Sequence, residues 1–338
     1  MADTLALLIS AMAVLLPTAV YCIAFYWADR YEREPRSLLL IAFFWGALPS
    51  VVLSVVSEVV LGAPLVDYVN SEQAAFVVGV IIAPVVEELA KGAALLGLFI
   101  WKREEFDGVL DGLIYGALVG FGFAMTENFL YFIGAYESGG FANLTALIFV
   151  RAVLFGLNHA MYTSLTGIGF GMARNEPRTA VRVMWIGLGL GCAIAVHAAH
   201  NFGVLVAGVA PIGFLLSLAI AAGGAALIVL AVVLSWRHER EVMRAELAEE
   251  LGNLLSTQEL LELTGRWRQP MRKRPNDGVA VRMALYVELA MHKRRLRRLG
   301  PARSASTRLE IDAIREHLMQ LKQGPAQTDG PAPAHDQV

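Results

Sequence analysis

Seven stretches of this chain are apolar for long enough to cross a lipid bilayer, and that limits what it can fold into. They run over residues 5–27, 38–61, 74–101, 110–134, 144–171, 183–209 and 212–236. A hydrocarbon core of ~30 Å takes about 20 apolar residues wound as a helix. Inside it every backbone N–H and C=O must be satisfied by protein, which leaves only helices and closed barrels, and segments of this length are helices. The expected fold class is all-α: a polytopic transmembrane helix bundle of about seven spans. Residues 1–236 form this membrane domain, 237–322 a helical cytoplasmic tail, and 323–338 a disordered end rich in Pro, Ala, Gln and Gly.

The charges divide the same way. Only 17% of the 338 residues are charged, against about 25% in an ordinary soluble domain. Of the Lys and Arg residues, 10 lie in 1–236 and 18 in 237–338. Arg30, Arg33 and Arg36 follow the first span, Lys102 and Arg103 the third, and Arg174, Arg178 and Arg182 the fifth, while loops 62–73, 135–143 and 210–211 have none. Basic loops stay in the cytoplasm. The chain is thus read as a multi-pass protein of the cell inner membrane, with its N-terminus outside and its C-terminus cytoplasmic. The first span, lacking a basic n-region, reads as a retained helix rather than a signal peptide. Cys22 and Cys192 are too few for a disulfide framework or a thiolate metal cluster. In the tail, Ser256 or Thr257 with Glu259 suggests a capping box, and the run HKRRLRR suggests contact with anionic lipid headgroups. No nucleic-acid-binding module is present.

Against this apolar background a few polar residues stand out. Glu87 and Glu88 lie mid-span in the third segment, with Lys91 a turn later. A charge near the bilayer centre costs at least ~2.5–3.5 kcal/mol, so such residues are paired and usually functional. Residues three and four apart share a helix face, so Lys91 can pair with either glutamate. Glu127 lies on the fourth span, Arg151 and His159 on the fifth, and His197 and Asn201, four apart on one face, on the sixth. Four spans each place a costly polar group at similar depth. Together they form a candidate hydrolytic site: carboxylates to take a proton from water, and His and Asn to stabilise an oxyanion.

The segments PVVEELAKG, FDGVLDGLIYGALVGFGFAMTENFLY, RAVLFGLNHAMYTSLTGIGFG and HAAHNFG follow in this order on successive spans. Together they resemble the PrsW family of bacterial intramembrane proteases, part of a wider group with the CAAX-processing prenyl proteases and the bacteriocin-immunity relatives. The resemblance covers roughly residues 10–235. It implies an intramembrane peptide hydrolase acting on membrane-associated protein substrates, of which membrane-bound anti-sigma factors are the family's founding case. By position it makes Glu87 and Glu88 the EExxK glutamates, Glu127 (with Phe123) the FxxxE glutamate, His159 and His197 the later motif histidines, and Asn201 the HxxxN asparagine. Lys91 is offset from the basic residue of the prenyl proteases, and Glu127 replaces their second-motif histidine, which argues against a prenylated substrate.

The expected mechanism is a glutamate-activated water. Glu87 or Glu88 is the base, His159 orients the water, His197 and Asn201 hold the oxyanion, and Lys91, Glu127 and Arg151 support them. No cofactor is required on this reading. A zinc-dependent alternative draws its ligands from Glu88, Glu127, His159 and His197, in the manner of His₂Glu sites. A proton- or ion-coupled transporter is the rival from another class.

Overall fold

The computed structural model describes residues 2–29, 31, 33–265, 278–298 and 304–323. Among these no strand occurs, only an isolated bridge between Leu251 and Leu255. Helices α1 (Ala2–Ala28), α2 (Arg36–Trp45), α3 (Val51–Gly62), α4 (Ser71–Phe76) and α5 (Ala83–Trp101) come first. They are followed by α6 (Val109–Ile148), α7 (Asn158–Arg174), α8 (Thr179–Ala207) and α9 (Pro211–Leu247). Three widened π-type turns are inserted: Gly46–Ser50 between α2 and α3, Val77–Ile82 before α5, and Phe149–Leu154 before α7.

Among the described residues, six helical stretches are long and apolar enough to span a bilayer. The stretch Val109–Arg174 covers 66 residues, and at 1.5 Å per residue that exceeds several times the length one crossing needs. Its backbone leaves helical geometry at Gly139 and Gly140, the latter at φ +66°, a conformation L side chains rarely adopt. This break lies inside the 135–143 segment expected to separate the fourth and fifth spans.

Apolar side chains such as Leu8, Leu16, Val60 and Val229 face outward, as lipid solvation permits. Helices in lipid gain little from burying such groups and associate instead through close backbone packing. The α6–α7 pair shows how. Gly112, Gly116 and Gly120 recur every fourth residue, and α7 lies directly against them. A methyl group added at Gly120 would lie 2.3 Å from the His159 carbonyl oxygen. The bare glycine face therefore fixes the depth and rotation of the helix that carries His159.

Pro84 closely follows the widened turn before α5. Proline has no N–H, so the Gly79 carbonyl five residues earlier lacks a π-type donor. The Asn201 side chain of α8 supplies one at 2.8 Å. Trp45 Nε1 and Ser50 Oγ both donate to the Ala90 carbonyl, at 3.0 and 3.3 Å, tying the first widened turn to α5.

The chain forms two compact units, one ending at Ser235 and one beginning at Trp236, the second also taking in Tyr31. The second unit contains the end of α9, α10 (Thr257–Leu263), α11 (Gly278–Arg298) and α12 (Ser304–Gln323). Met243, Leu247, Tyr286, Leu289, Ile311 and Leu318 form its core, with Tyr31 packed against it. Ser256 and Glu259 form the reciprocal cap of α10. Burial lifts the Glu259 carboxyl, but the Ser256 N–H and hydroxyl outweigh it and hold the group below its ordinary value. Several groups of the basic run are committed within the unit: Lys293 to Glu249 and Glu250 at 2.8 and 2.9 Å, Arg297 to Glu246 at 3.0 Å, and Arg294 to His238 at 3.2 Å. The disorder expected over 323–338 concerns residues that, Gln323 apart, lie outside those described.

Gly120→Ala is expected to destabilise the membrane unit by about 1–3 kcal/mol through overpacking. Gly134→Ala, with nothing within 4 Å of the new methyl, should have little effect. Thermal unfolding of both variants in detergent checks this.

Candidate active site

The site is assembled around the ammonium of Lys91. Its Nζ lies 3.0 Å from Glu87 Oε2, 2.8 Å from Glu88 Oε1 and 3.0 Å from His159 Nδ1. An ammonium has three N–H donors, and here each has an acceptor. Nζ also lies 3.7 Å from the centroid of the Phe123 ring, in cation–π contact. Lys91 and Glu88 are wholly buried and Glu87 is 6% exposed. Helical spacing explains the carboxylate pair, since positions 87, 88 and 91 lie on adjoining faces of α5. The histidine comes from α7, held at this depth by the glycines of α6.

Glu88 is the more heavily engaged glutamate. Its Oε1 also faces His197 Nδ1 at 3.1 Å, and its Oε2 accepts from the Thr163 hydroxyl at 3.2 Å. The ring of His197 lies flat on Tyr162, with centroids 4.5 Å apart at 17°. Its Nε2 is 3.9 Å from Glu87. Stacking and the Glu88 bond together fix the orientation of this imidazole.

A second layer fixes His159. Its Nε2 is 2.8 Å from Glu127 Oε2. Arg151 holds that same oxygen through Nη2 at 2.7 Å and Asn128 Oδ1 through Nε at 2.6 Å, while its guanidinium covers Tyr131. Because Nε2 faces a carboxylate it carries the proton, and Nδ1 presents its lone pair to the centre of the cluster. A carboxylate behind a histidine in this way sets the tautomer and raises the basicity of the other nitrogen.

The structure therefore brings Glu87, Glu88, Lys91, His159 and His197 into one group and attaches Glu127 and Arg151 behind His159. Asn201 is placed differently, its amide bonded to Gly79. His200 pairs with Asn158 at 3.2 Å and packs edge-on to Phe155. Asp111 caps α6, accepting from the backbone of Asp107 and Gly108.

Sequence reading overlooked Thr163, Tyr162 and Glu58. Thr163 and Tyr162 are unremarkable residues that only packing brings to the site. Glu58 carried a signal, being an ionisable residue inside the second apolar segment. It is half-buried on α3 and acts electrostatically on Glu87, Glu127 and Lys91.

One ligand atom each from Glu87, Glu88, His159 and His197 lie within 4.8 Å of one another. Two carboxylates and two imidazoles are a donor set suited to zinc. Glu127, counted among the possible ligands from sequence, is outside this group.

Comparison with known proteins adds the following. Residues 34–236 match the family described as PrsW family intramembrane metalloprotease. Protease PrsW of Bacillus subtilis (strain 168) is 30% identical over 178 residues, 53% of this chain and 74% of that protein. The Geobacillus kaustophilus (strain HTA426) protein of the same name is 30% identical over 169 residues, covering 48% and 65%. That of Halalkalibacterium halodurans is 28% identical over 189 residues, covering 56% and 80%. No solved structure gives a significant match.

Removing one partner from a buried ion cluster leaves an uncompensated charge, at a cost of about 3–5 kcal/mol. Glu88→Leu should show a loss of that order in detergent unfolding. Adding Lys91→Met to it should restore part of the stability, since the orphaned ammonium is then removed.

Proposed function

The chain belongs to the PrsW family of intramembrane metalloproteases and is a membrane-embedded peptide hydrolase, and we propose that it cleaves membrane-associated proteins with a water activated by Glu87 beside a divalent cation. The observation carrying this reading is the convergence of four metal-type donors from three helices within 4.8 Å. Charge balance supports it. If ionised, Glu58, Glu87, Glu88 and Glu127 are opposed by only Lys91 and Arg151, an excess of two negative charges that one divalent ion cancels. In a medium of low dielectric such an excess is costly.

Glu88, His159 and His197 would hold the ion, a His₂Glu set like those of soluble zinc proteases. When bound, it supplies Lewis-acid polarisation of the scissile carbonyl and of water. Glu87 is the proposed base because its hydrogen bonding is the lighter. Glu88 is held by Lys91, His197 and Thr163, whereas Lys91 alone donates to Glu87. Glu87 takes a proton from water as the hydroxyl adds to the carbonyl carbon, then returns it to the departing amine nitrogen. Lys91 steadies the negative charge that develops. Glu127 and Arg151 hold His159 in its tautomer, and Asn201 holds the widened turn that introduces α5.

Lys91 favours a second version of the same chemistry. Its ammonium already meets three of the acceptors, and it could supply the positive charge without a metal. The substrate side is proposed from the family: membrane-anchored proteins of the anti-sigma-factor kind, reached from within the cell membrane. The N-terminus is proposed to face outward and the tail inward. With Lys293, Arg294 and Arg297 engaged inside the tail unit, any contact with anionic lipid falls to the remaining basic residues.

The test uses full-length protein in detergent with a fluorogenic peptide library. Wild type should cleave. Glu87→Gln should lose about 10²–10⁴-fold, the usual contribution of a general base, and Glu127→Gln about 10–100-fold. A chelator should abolish cleavage and zinc restore it. Cleavage that survives chelation but not Glu87→Gln supports the Lys91 version. Cleavage indifferent to both Glu87→Gln and His197→Ala overturns the assignment of the site.

A further inference from the structure

Hydrolysis consumes one water for each bond cut, yet Glu87 and Glu88 are buried in a helix bundle. The face of α3 turned toward α5 bears on this supply. Ser50, closing the widened turn, and Ser54 and Glu58 of α3 follow one another at single-turn intervals, and the other side of α3 is exposed Val and Leu. Ser50 bonds the Ala90 carbonyl. Ser54 is completely buried, and its hydroxyl has no hydrogen-bond partner among the described residues. A buried hydroxyl left unpaired costs about 1–3 kcal/mol, and proteins ordinarily satisfy such groups with ordered water. One turn further on, Glu58 is half-buried and acts electrostatically on Glu87, Glu127 and Lys91. It makes no hydrogen bond or ion pair of its own among the described residues, and α3 ends four residues later at Gly62.

We infer that Ser54 and Glu58 form a hydrated lane along α3 through which water enters the site from the face bearing the 63–70 loop. Ionisable groups inside a span take a bonded partner or face a water-filled cavity; Glu58 has no bonded partner among the described residues, and Ser54 offers the next hydrogen-bonding station inward. This inference rests on the hydrolytic reading of Glu87. It makes Glu58 a positioning residue for water, not a ligand or base.

Accessibility to a thiol reagent tests the lane without requiring activity. Ser54→Cys, Glu58→Cys and, as a lipid-facing control, Val56→Cys (Val56 is 55% exposed) are made in a Cys22→Ser, Cys192→Ser background. Each full-length protein is reconstituted in sealed liposomes and treated with a membrane-impermeant methanethiosulfonate. These reagents attack thiolates, which form only where water reaches. Positions 54 and 58 should react at least about 10-fold faster than 56, and from the 63–70 face. Reaction no faster than the control, or only from the opposite face, overturns the lane. Ser54→Cys is near-isosteric, so a folded protein is expected for at least that position. In the peptide assay Glu58→Leu should lower kcat with little change in KM. An equal fall in cleavage for Val56→Leu would tell against a specific role. Labelling as expected, in a protein that hydrolyses nothing, would uphold the lane and count against the hydrolytic reading instead.

Discussion

Everything at the centre of this molecule depends on keeping ionised groups together where there is little water to solvate them. Lys91 does this with one ammonium: it binds two carboxylates of its own helix and an imidazole of another, and rests on an aromatic face. Opposite charges at such distances in a low dielectric attract strongly, but only good geometry repays the desolvation. The cluster is therefore unforgiving of displacement, and the surrounding helices are built to prevent it.

The α6–α7 contact is the main means. In lipid, close backbone approach replaces hydrophobic burial as the source of adhesion, and the glycines of α6 allow α7 to come close enough for His159 to meet Lys91. From α6 itself, Glu127 then secures the far nitrogen of that histidine, with Arg151 behind it. The widened turns serve the same end. π-type insertions shift the register of a helix and occur frequently at functional sites, and here two of them lead into α5 and α7, which carry the two glutamates and His159. Asn201 completes the carbonyl that Pro84 leaves without a donor.

Much of this could be read from the sequence because membranes make polar residues conspicuous. Glu87, Glu88, Lys91, His159 and His197 are costly where they stand, and the cost draws attention to them. The bundle was legible from the length of the apolar runs, and the tail helix from its Ser256–Glu259 cap. What escaped notice was inconspicuous in one dimension. Thr163 and Tyr162 are ordinary residues until packing sets them on Glu88 and His197. The spacing of Asn201 from His197 puts both on one face, but the Gly79 carbonyl that its amide meets lies on another span and is invisible to spacing. Glu58 met the same criterion as the others, but nothing near it in sequence suggested a partner.

The central claim is that the donors gathered around Lys91 form a site for one divalent cation. Metal analysis of the purified full-length protein, after expression with ample zinc and removal of loosely bound ions, addresses it directly. The account predicts close to one zinc per chain in the wild type, and far less when His159 and His197 are both replaced by alanine in a protein that remains folded. A folded wild type that holds no divalent metal, and takes none up on titration, would contradict it and leave the Lys91 ammonium as the cation at the centre of the site.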